Sequence, residues 1–240
     1  MAFSIVTGSA SGNGFAIAQS LKNDTHKVLG VDLKKPDTDN FDNFIIGDVT
    51  SKEIIIKTFN FFLESGENEL YLVNNAGITK PSFPHNEKDW DKTIDINLKA
   101  PFLWSNYFLE NVFKKNIKKG GIIFIGSLAT KMGFPQNPSY QASKCGLVGL
   151  TQSFAYDLGK YGIRVNCISP GYIKTNMTKK SYEDKSLNSA RQKHMLIKRW
   201  GDPEDIANVI SFFCSDKSSY ITGTNITVDG GWSINGLTDN

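Results

Sequence analysis

Cysteine is scarce in this chain: three residues in 240, Cys145, Cys167 and Cys214. Their spacing fits no metal-ligand pattern, and any pairing leaves one thiol over. That excludes a disulfide framework and predicts three reduced thiols and no metal site. No apolar run approaches the ~20 residues of a membrane span. Met1–Thr7 lacks a basic segment followed by a long apolar run, so no secretory leader is expected and the expected location is cytoplasmic. An excess of one charge sign is also missing. Lys and Arg number 27 against 24 Asp and Glu, a net charge of +3 that is too small to argue for nucleic acid. Arginine is rarer still, three against 24 lysines, which reads as composition bias and not as a phosphate-reading surface. Repeats, low-complexity tracts and interdomain linkers are absent as well. The length suffices for one sizeable core, and a single domain over 1–240 is expected.

What is present is an alternation of short apolar strands and helical segments. It predicts an α/β fold: one Rossmann-type, doubly wound parallel sheet covered on both faces, in three αβα layers. Residues 3–7 form a strand that runs into Gly8-Ser-Ala-Ser-Gly12-Asn13-Gly14, and helical character follows from Phe15. Strand, glycine-rich turn and helix are the context of a phosphate cradle. Glycines admit a pyrophosphate to the backbone, and the helix N-terminus offers unpaired N–H groups. The next strand, Lys27 to Val31, ends at Asp32, twenty residues after Gly12. A dinucleotide fold places there the acid that bonds the adenosine ribose. Asp32 would repel a 2′-phosphate and so favours NAD over NADP, while Lys34 and Lys35 pull the other way.

Phe44–Gly47 reads as a third strand, with Asp48-Val49 after it and a helix capped near Thr50 or Ser51. Leu70–Val73 is a fourth, ending in Asn74-Asn75-Ala76-Gly77, residues suited either to turn chemistry or to a nucleotide crevice at parallel strand ends. A helix is expected over about 95–118, carrying Asn97 among Ile94, Ile96 and Leu98; that amide must find partners, structural or catalytic. Ile122–Ile125 is a buried strand with Ser127 just past its end, and a helix from Tyr140 to about Tyr161 puts Tyr140 and Lys144 on one face. Arg164–Ile168 runs into Ser169-Pro170-Gly171. Residues 174–199 hold eight Lys and Arg against Glu183 and Asp184 and form a candidate lid over an anionic substrate. Asp202-Pro203-Glu204 opens a helix, and Ile226–Val228 is the last strand.

The Tyr140–Lys144 pair has a chemical use. A free phenol titrates near ~10. A neighbouring cation favours its ionisation and moves it toward the range of a general acid/base, with Ser127 placed to orient a substrate oxygen.

With Thr7 to Gly14 as T-G-x-x-x-G-x-G, Asn74 to Gly77, Tyr140 to Lys144, Pro170 to Thr175 and Ile221 to Gly231, the sequence resembles the short-chain dehydrogenase/reductase family in its compact form. It is most similar to 3-oxoacyl-(acyl-carrier-protein) reductases and related alcohol, sugar and polyol dehydrogenases. The resemblance implies a catalytic tetrad of Asn97, Ser127, Tyr140 and Lys144, with Tyr140 the acid/base, Lys144 on the nicotinamide ribose, Ser127 on the substrate and Asn97 holding a relay water. It implies cofactor contacts at Gly8, Ser11, Asn13, Gly14 and Asp32, at Asp48 and Val49 beside the adenine, and at Asn75, Ala76 and Gly77. Further contacts are implied at Pro170, Gly171, Ile173 and Thr175, the last two at the nicotinamide carboxamide. Asn13 departs from the family's usual isoleucine. Those reductases use NADPH and lack an acid where Asp32 stands. A homodimer or homotetramer through the helices beginning near 95 and 140 is also implied. The competing reading is a non-catalytic nucleotide-binding or scaffold member of the same fold.

Overall fold

The computed structural model describes residues 1–38 and 41–236. Seven parallel strands form one sheet: β1 (Ala2–Thr7), β2 (Lys27–Asp32), β3 (Asn43–Ile46), β4 (Glu69–Asn74), β5 (Lys119–Ile125), β6 (Ile163–Pro170) and β7 (Asn225–Val228), in the order β3-β2-β1-β4-β5-β6-β7. Alternate residues along a strand serve opposite faces. Phe3, Ile5, Ile122 and Phe124 face α2 (Lys52–Glu64), α4 (Ala100–Lys115) and α5 (Pro138–Leu158), meeting Phe59, Trp104 and Phe154. Val6, Ile123 and Ile125 face α1 (Gly12–Asn23) and α8 (Pro203–Phe213), meeting Ile17, Leu21 and Ile210. Both faces are therefore apolar, which explains the short unbroken runs in the sequence. The expected three-layer doubly wound sheet is what the chain adopts.

Strand order reverses between β1 and β4. Connections leave in opposite directions there, so a crevice opens at the carboxyl ends of the strands. Among the described residues, no helix is long and apolar enough to cross a membrane. The three cysteines are unpaired.

One expected element is redrawn. In place of a helix over 95–118, α3 (Glu87–Ile94) leads through a π turn (Asp95–Lys99) into α4, which stops at Lys115. Asn86 caps α3 by accepting from Asp89 N at 2.8 Å. The π turn has an identifiable cause. Pro101 lacks the N–H that would bond the Asn97 carbonyl four residues back, and its ring would crowd that oxygen in an α-helix. The 174–199 segment also contains more order than its pattern suggests: α6 (Lys179–Glu183) and α7 (Lys185–His194), the second capped by Asp184.

Candidate active site

The glycine-rich loop is fixed by β2 and β4 together. Gly8 N donates to Val31 O at 2.8 Å, and Asn75 Nδ2 donates to Thr7 O at 3.0 Å and Gly8 O at 2.9 Å. Asn75 N and Ala76 N both donate to Thr7 Oγ1, at 3.1 and 3.2 Å. Side chains have no room here. A Cβ on Gly14 would stand 2.1 Å from Gly8 O, and one on Gly8, whose φ is +65°, would stand 2.7 Å from Ala76 Cα. Ser11, at the N-cap of α1, makes no side-chain cap bond, and the first turn holds no acid. The first-turn N–H groups thus stay available to an anion, with the positive end of the helix dipole behind them.

From this loop a crevice of about 440 Å³ runs along the strand ends. Gly8, Ser11, Asn13 and Gly14 line one side, with Asp32, Asp48 and Val49 toward one end. Asn75, Ala76 and Gly77 form the floor; Ser127, Tyr140 and Lys144 lie at the other end, facing Pro170, Gly171, Ile173 and Thr175. Asn97 is the exception: it is fully buried behind Ile78 and does not reach the crevice surface. Ile78, Lys92, Ile96 and Met177 line it too, and the sequence reading missed them. Lys92 lies on α3 and Ile96 on the π turn that follows it, and the sequence reading placed neither of these elements.

Asp32 already carries two backbone bonds: Oδ2 accepts from Ala10 N at 2.9 Å and Oδ1 from Leu33 N at 2.7 Å. Each oxygen keeps acceptor capacity for ribose hydroxyls. These residues fit a dinucleotide. The loop spaces are ones that a Cβ would fill, and the donors and acceptors match phosphate and ribose in turn.

At the other end, α5 starts at Pro138 and carries Tyr140 and Lys144 one turn apart. Lys144 is only 4% exposed; its Nζ donates to Ile125 O at 2.6 Å and lies 5.7 Å from the centre of the Tyr140 ring. Burial pulls the Lys144 ammonium down to about 8. Burial also raises the half-buried Tyr140 phenol above its ordinary value, and the adjacent Ser127 side chain opposes that rise. The Lys144 ammonium is directed at the Ile125 carbonyl, not at the phenol. Ser127 Oγ accepts from Ala129 N at 3.1 Å, which holds the hydroxyl at the strand end.

Asn97 positions rather than lines. Its Oδ1 accepts from Ile78 N and its Nδ2 donates to Ile78 O, both at 2.8 Å, with Ser143 Oγ at 3.3 Å. A Cβ on Gly77 would meet Asn97 Oδ1 at 3.3 Å and Lys144 Nζ at 3.5 Å, so the amide and the ammonium flank one glycine. The Asn97 backbone carbonyl cannot accept from position 101, because Pro101 has no N–H.

The eight cations of the 174–199 segment do not line the crevice; Thr175, Asn176, Met177 and Thr178 do so for it. Lys174 pairs with Asp202 at 3.2 Å, Lys179 with Glu183 at 3.7 Å and Arg199 with Asp205 at 2.7 Å. Arg191 stacks over Tyr172, 4.8 Å from the ring centre. A second hollow, of about 520 Å³, lies at the amino ends of the strands around Asp24, His26 and Glu69. Three of its charges are paired: Lys119 bonds Glu69 at 3.2 Å and Asp216 at 2.9 Å.

A family model described as Enoyl-(Acyl carrier protein) reductase matches residues 8–233. The human protein "Dehydrogenase/reductase SDR family member 4" is 34% identical over 95% of this chain and 86% of its own length. The Rickettsia felis 3-oxoacyl-(acyl-carrier-protein) reductase is 37% identical over 95% of each chain. A solved structure of 4-hydroxyisoleucine dehydrogenase complexed with NADH superposes with a TM-score of 0.89 at 30% identity, covering 98% of this chain and 99% of that one. The glycine cradle at the switch point and the Ser127, Tyr140 and Lys144 corner had already pointed the same way, and with these matches the chain belongs to the short-chain dehydrogenase/reductase family.

Proposed function

We propose that the chain is an NAD(H)-linked oxidoreductase acting on a secondary alcohol or ketone, with Tyr140 as its general acid/base. The observation that carries this reading is the meeting of Ser127, Tyr140 and Lys144 at one end of a crevice whose other end holds Asp32. When bound, NAD(H) supplies or accepts the hydride. The first turn of α1, with Gly8, Ser11, Asn13 and Gly14, holds its diphosphate. Asp32 takes the adenosine ribose, and Asp48 and Val49 border the adenine. Asn75, Ala76 and Gly77 form the floor beneath it. Pro170, Gly171, Ile173 and Thr175 hold the nicotinamide end.

Tyr140 Oη gives or takes the proton on the substrate oxygen, and Ser127 Oγ orients that oxygen beside it. Lys144 binds the nicotinamide ribose and, once drawn toward it, lowers the phenol's pKa from the high value that burial alone imposes. Asn97 positions Lys144 through Gly77 and Ile78 and holds the water that returns protons to Lys144. The substrate is of the type handled by 3-oxoacyl reductases or by sugar and polyol dehydrogenases; Asp32 argues against an NADPH-linked fatty-acid step.

Tyr140→Phe tests the central role. Turnover should fall by about 10²-fold or more while NADH affinity stays as it was, because the proton transfer belongs to the transition state. A variant that kept more than about a tenth of kcat on any good substrate would overturn the assignment. A screen of ketones, polyols, sugars and 3-oxoacyl thioesters with NAD(H) identifies the substrate. The assembly is a homodimer or homotetramer. Phe102, Phe113 and Tyr156 stand exposed on α4 and α5 in the lone chain, and light scattering should return a multiple of 26.6 kDa.

A further inference from the structure

We infer that Gln141, the residue after Tyr140, is a positioning residue that fixes the Ser127 hydroxyl against the Tyr140 phenol. This rests on the oxidoreductase reading above and adds to it the part that sets the geometry of the proton transfer. Ser127 caps a short turn (Leu128–Thr130), and its Oγ accepts from Ala129 N at 3.1 Å. Where the hydroxyl stands therefore depends on where that turn is held. From the sheet it is held at Thr130. Thr130 Oγ1 donates to Ser127 O at 2.8 Å, meets Ser169 Oγ at 3.0 Å and accepts from Asn225 Nδ2 at 3.3 Å. From α5 it is held by Gln141.

The Gln141 amide is used at both ends. Its Nε2 donates to Ala129 O, and its Oε1 accepts from Phe134 N at 3.0 Å. The second bond fixes which way the amide faces, because a turned amide would set its NH2 against the Phe134 N–H. Ala129 thus donates to Ser127 with its N–H and accepts from Gln141 with its carbonyl, so one residue relays the position of α5 to the hydroxyl. The Cys145 thiol adds a weaker bond to the same carbonyl at 3.4 Å. Gln141 and Cys145 are one turn apart on α5, as Tyr140 and Lys144 are, and displaced from them by one residue. The helix therefore carries two adjacent stripes. One faces the crevice, and the other grips the turn that bears Ser127. With phenol and hydroxyl both referred to α5, their spacing does not depend on the intervening loop, where Lys131, Gly133, Pro135 and Gln136 are exposed. Packing alone would be served as well by a leucine, which leaves both bonds unmade.

The test measures kcat, KM and NADH affinity for Gln141→Leu, Ser127→Ala and the double variant, on whichever compound of the substrate screen wild type turns over fastest. Single-turnover traces keep the slowest variants measurable. In Gln141→Leu, kcat should fall by about 10-fold, with KM within about 2-fold and NADH affinity unchanged by calorimetric titration. In the double variant the amide has nothing left to position, so kcat should match that of Ser127→Ala alone. A residue that only holds the fold together would lower kcat by the same factor in both backgrounds. Gln141→Glu keeps the acceptor for Phe134 N but at neutral pH has no proton to donate to the Ala129 carbonyl. It should lose at least as much kcat as the leucine variant, and it replaces that variant if leucine does not fold. Unchanged kcat in either variant overturns the inference, and so do losses that multiply in the double variant. If wild type turns over nothing in the screen, the oxidoreductase reading itself falls.

Discussion

At the scale of single residues, Lys144 shows what spacing reveals and what it hides. Four residues on a helix put it beside Tyr140, and that much was legible. The Ile125 carbonyl 2.6 Å from its ammonium was not, because it comes from a strand nineteen residues earlier. Burial lowers Lys144 from 10.5 to about 8, so between those values the unfolded chain binds more protons at this site than the folded one. Stability from this group therefore rises as pH climbs through that window, and below pH 8 the whole penalty of the buried charge applies. Lys144→Met should lose nearly all turnover yet unfold no earlier than wild type at pH 7, with that advantage shrinking by about pH 10. Thermal scans at the two pH values, beside an activity assay, check both halves. Asp32 gives the second expectation. NAD(H) should bind at least ~10-fold more tightly than NADP(H), since one charge-assisted ribose bond and the avoided repulsion of a 2′-phosphate contribute ~1.5–3 kcal/mol. Equal titration curves would mean that Lys34 or Lys35, both exposed, overrides the acid.

At the scale of elements, the strands and the glycine-rich turn were readable because their signals are local. Helix α3 was not. Thr93 is its one buried residue, so the apolar periodicity that announces a helix is missing, and the Asn86–Asp89 cap was the remaining cue. The π turn was hidden for the same reason, although Pro101 stood in plain view. Its function can be tested by Pro101→Ala. A restored N–H would bond the Asn97 carbonyl, the turn would relax toward α, and Asn97 would shift against Ile78. The variant should be as stable as wild type or more so, with kcat reduced by ~10-fold or more, because small displacements beside the proposed catalytic groups are costly. Unchanged kcat would leave Pro101 a packing residue. Gly14→Ala should behave oppositely and lose both stability and cofactor affinity. Its Cβ would press on Gly8 O at 2.1 Å and on Asn75 Nδ2 at 2.4 Å, a clash worth ~1–3 kcal/mol if the loop yields.

At the scale of the whole molecule, alternating strands and helices made the parallel sheet legible, and parallel strands deliver their carboxyl ends to one edge. That is why motifs scattered from Thr7 to Pro170 line one crevice. The pattern could not show which way the lysine-rich 174–199 segment turns its charges. They stay off the crevice wall, three of the eight are paired to acids, and Lys180, Lys185 and Lys193 have no acid partner among the described residues. Such charges act on an anionic substrate through distance alone. They raise its encounter rate and do not touch the bound state. For a carboxylated or phosphorylated ketone, kcat/KM should therefore fall as salt shortens the Debye length from ~30 Å at 0.01 M to ~3 Å at 1 M, while kcat stays level. Neutralising Lys180 and Lys185 together should flatten that slope and raise KM without changing kcat. A neutral analogue should show no slope in either protein. If the neutral ketone is turned over better than the anionic one, and both are indifferent to salt, then the segment is a solvated lysine-rich surface and the substrate is uncharged.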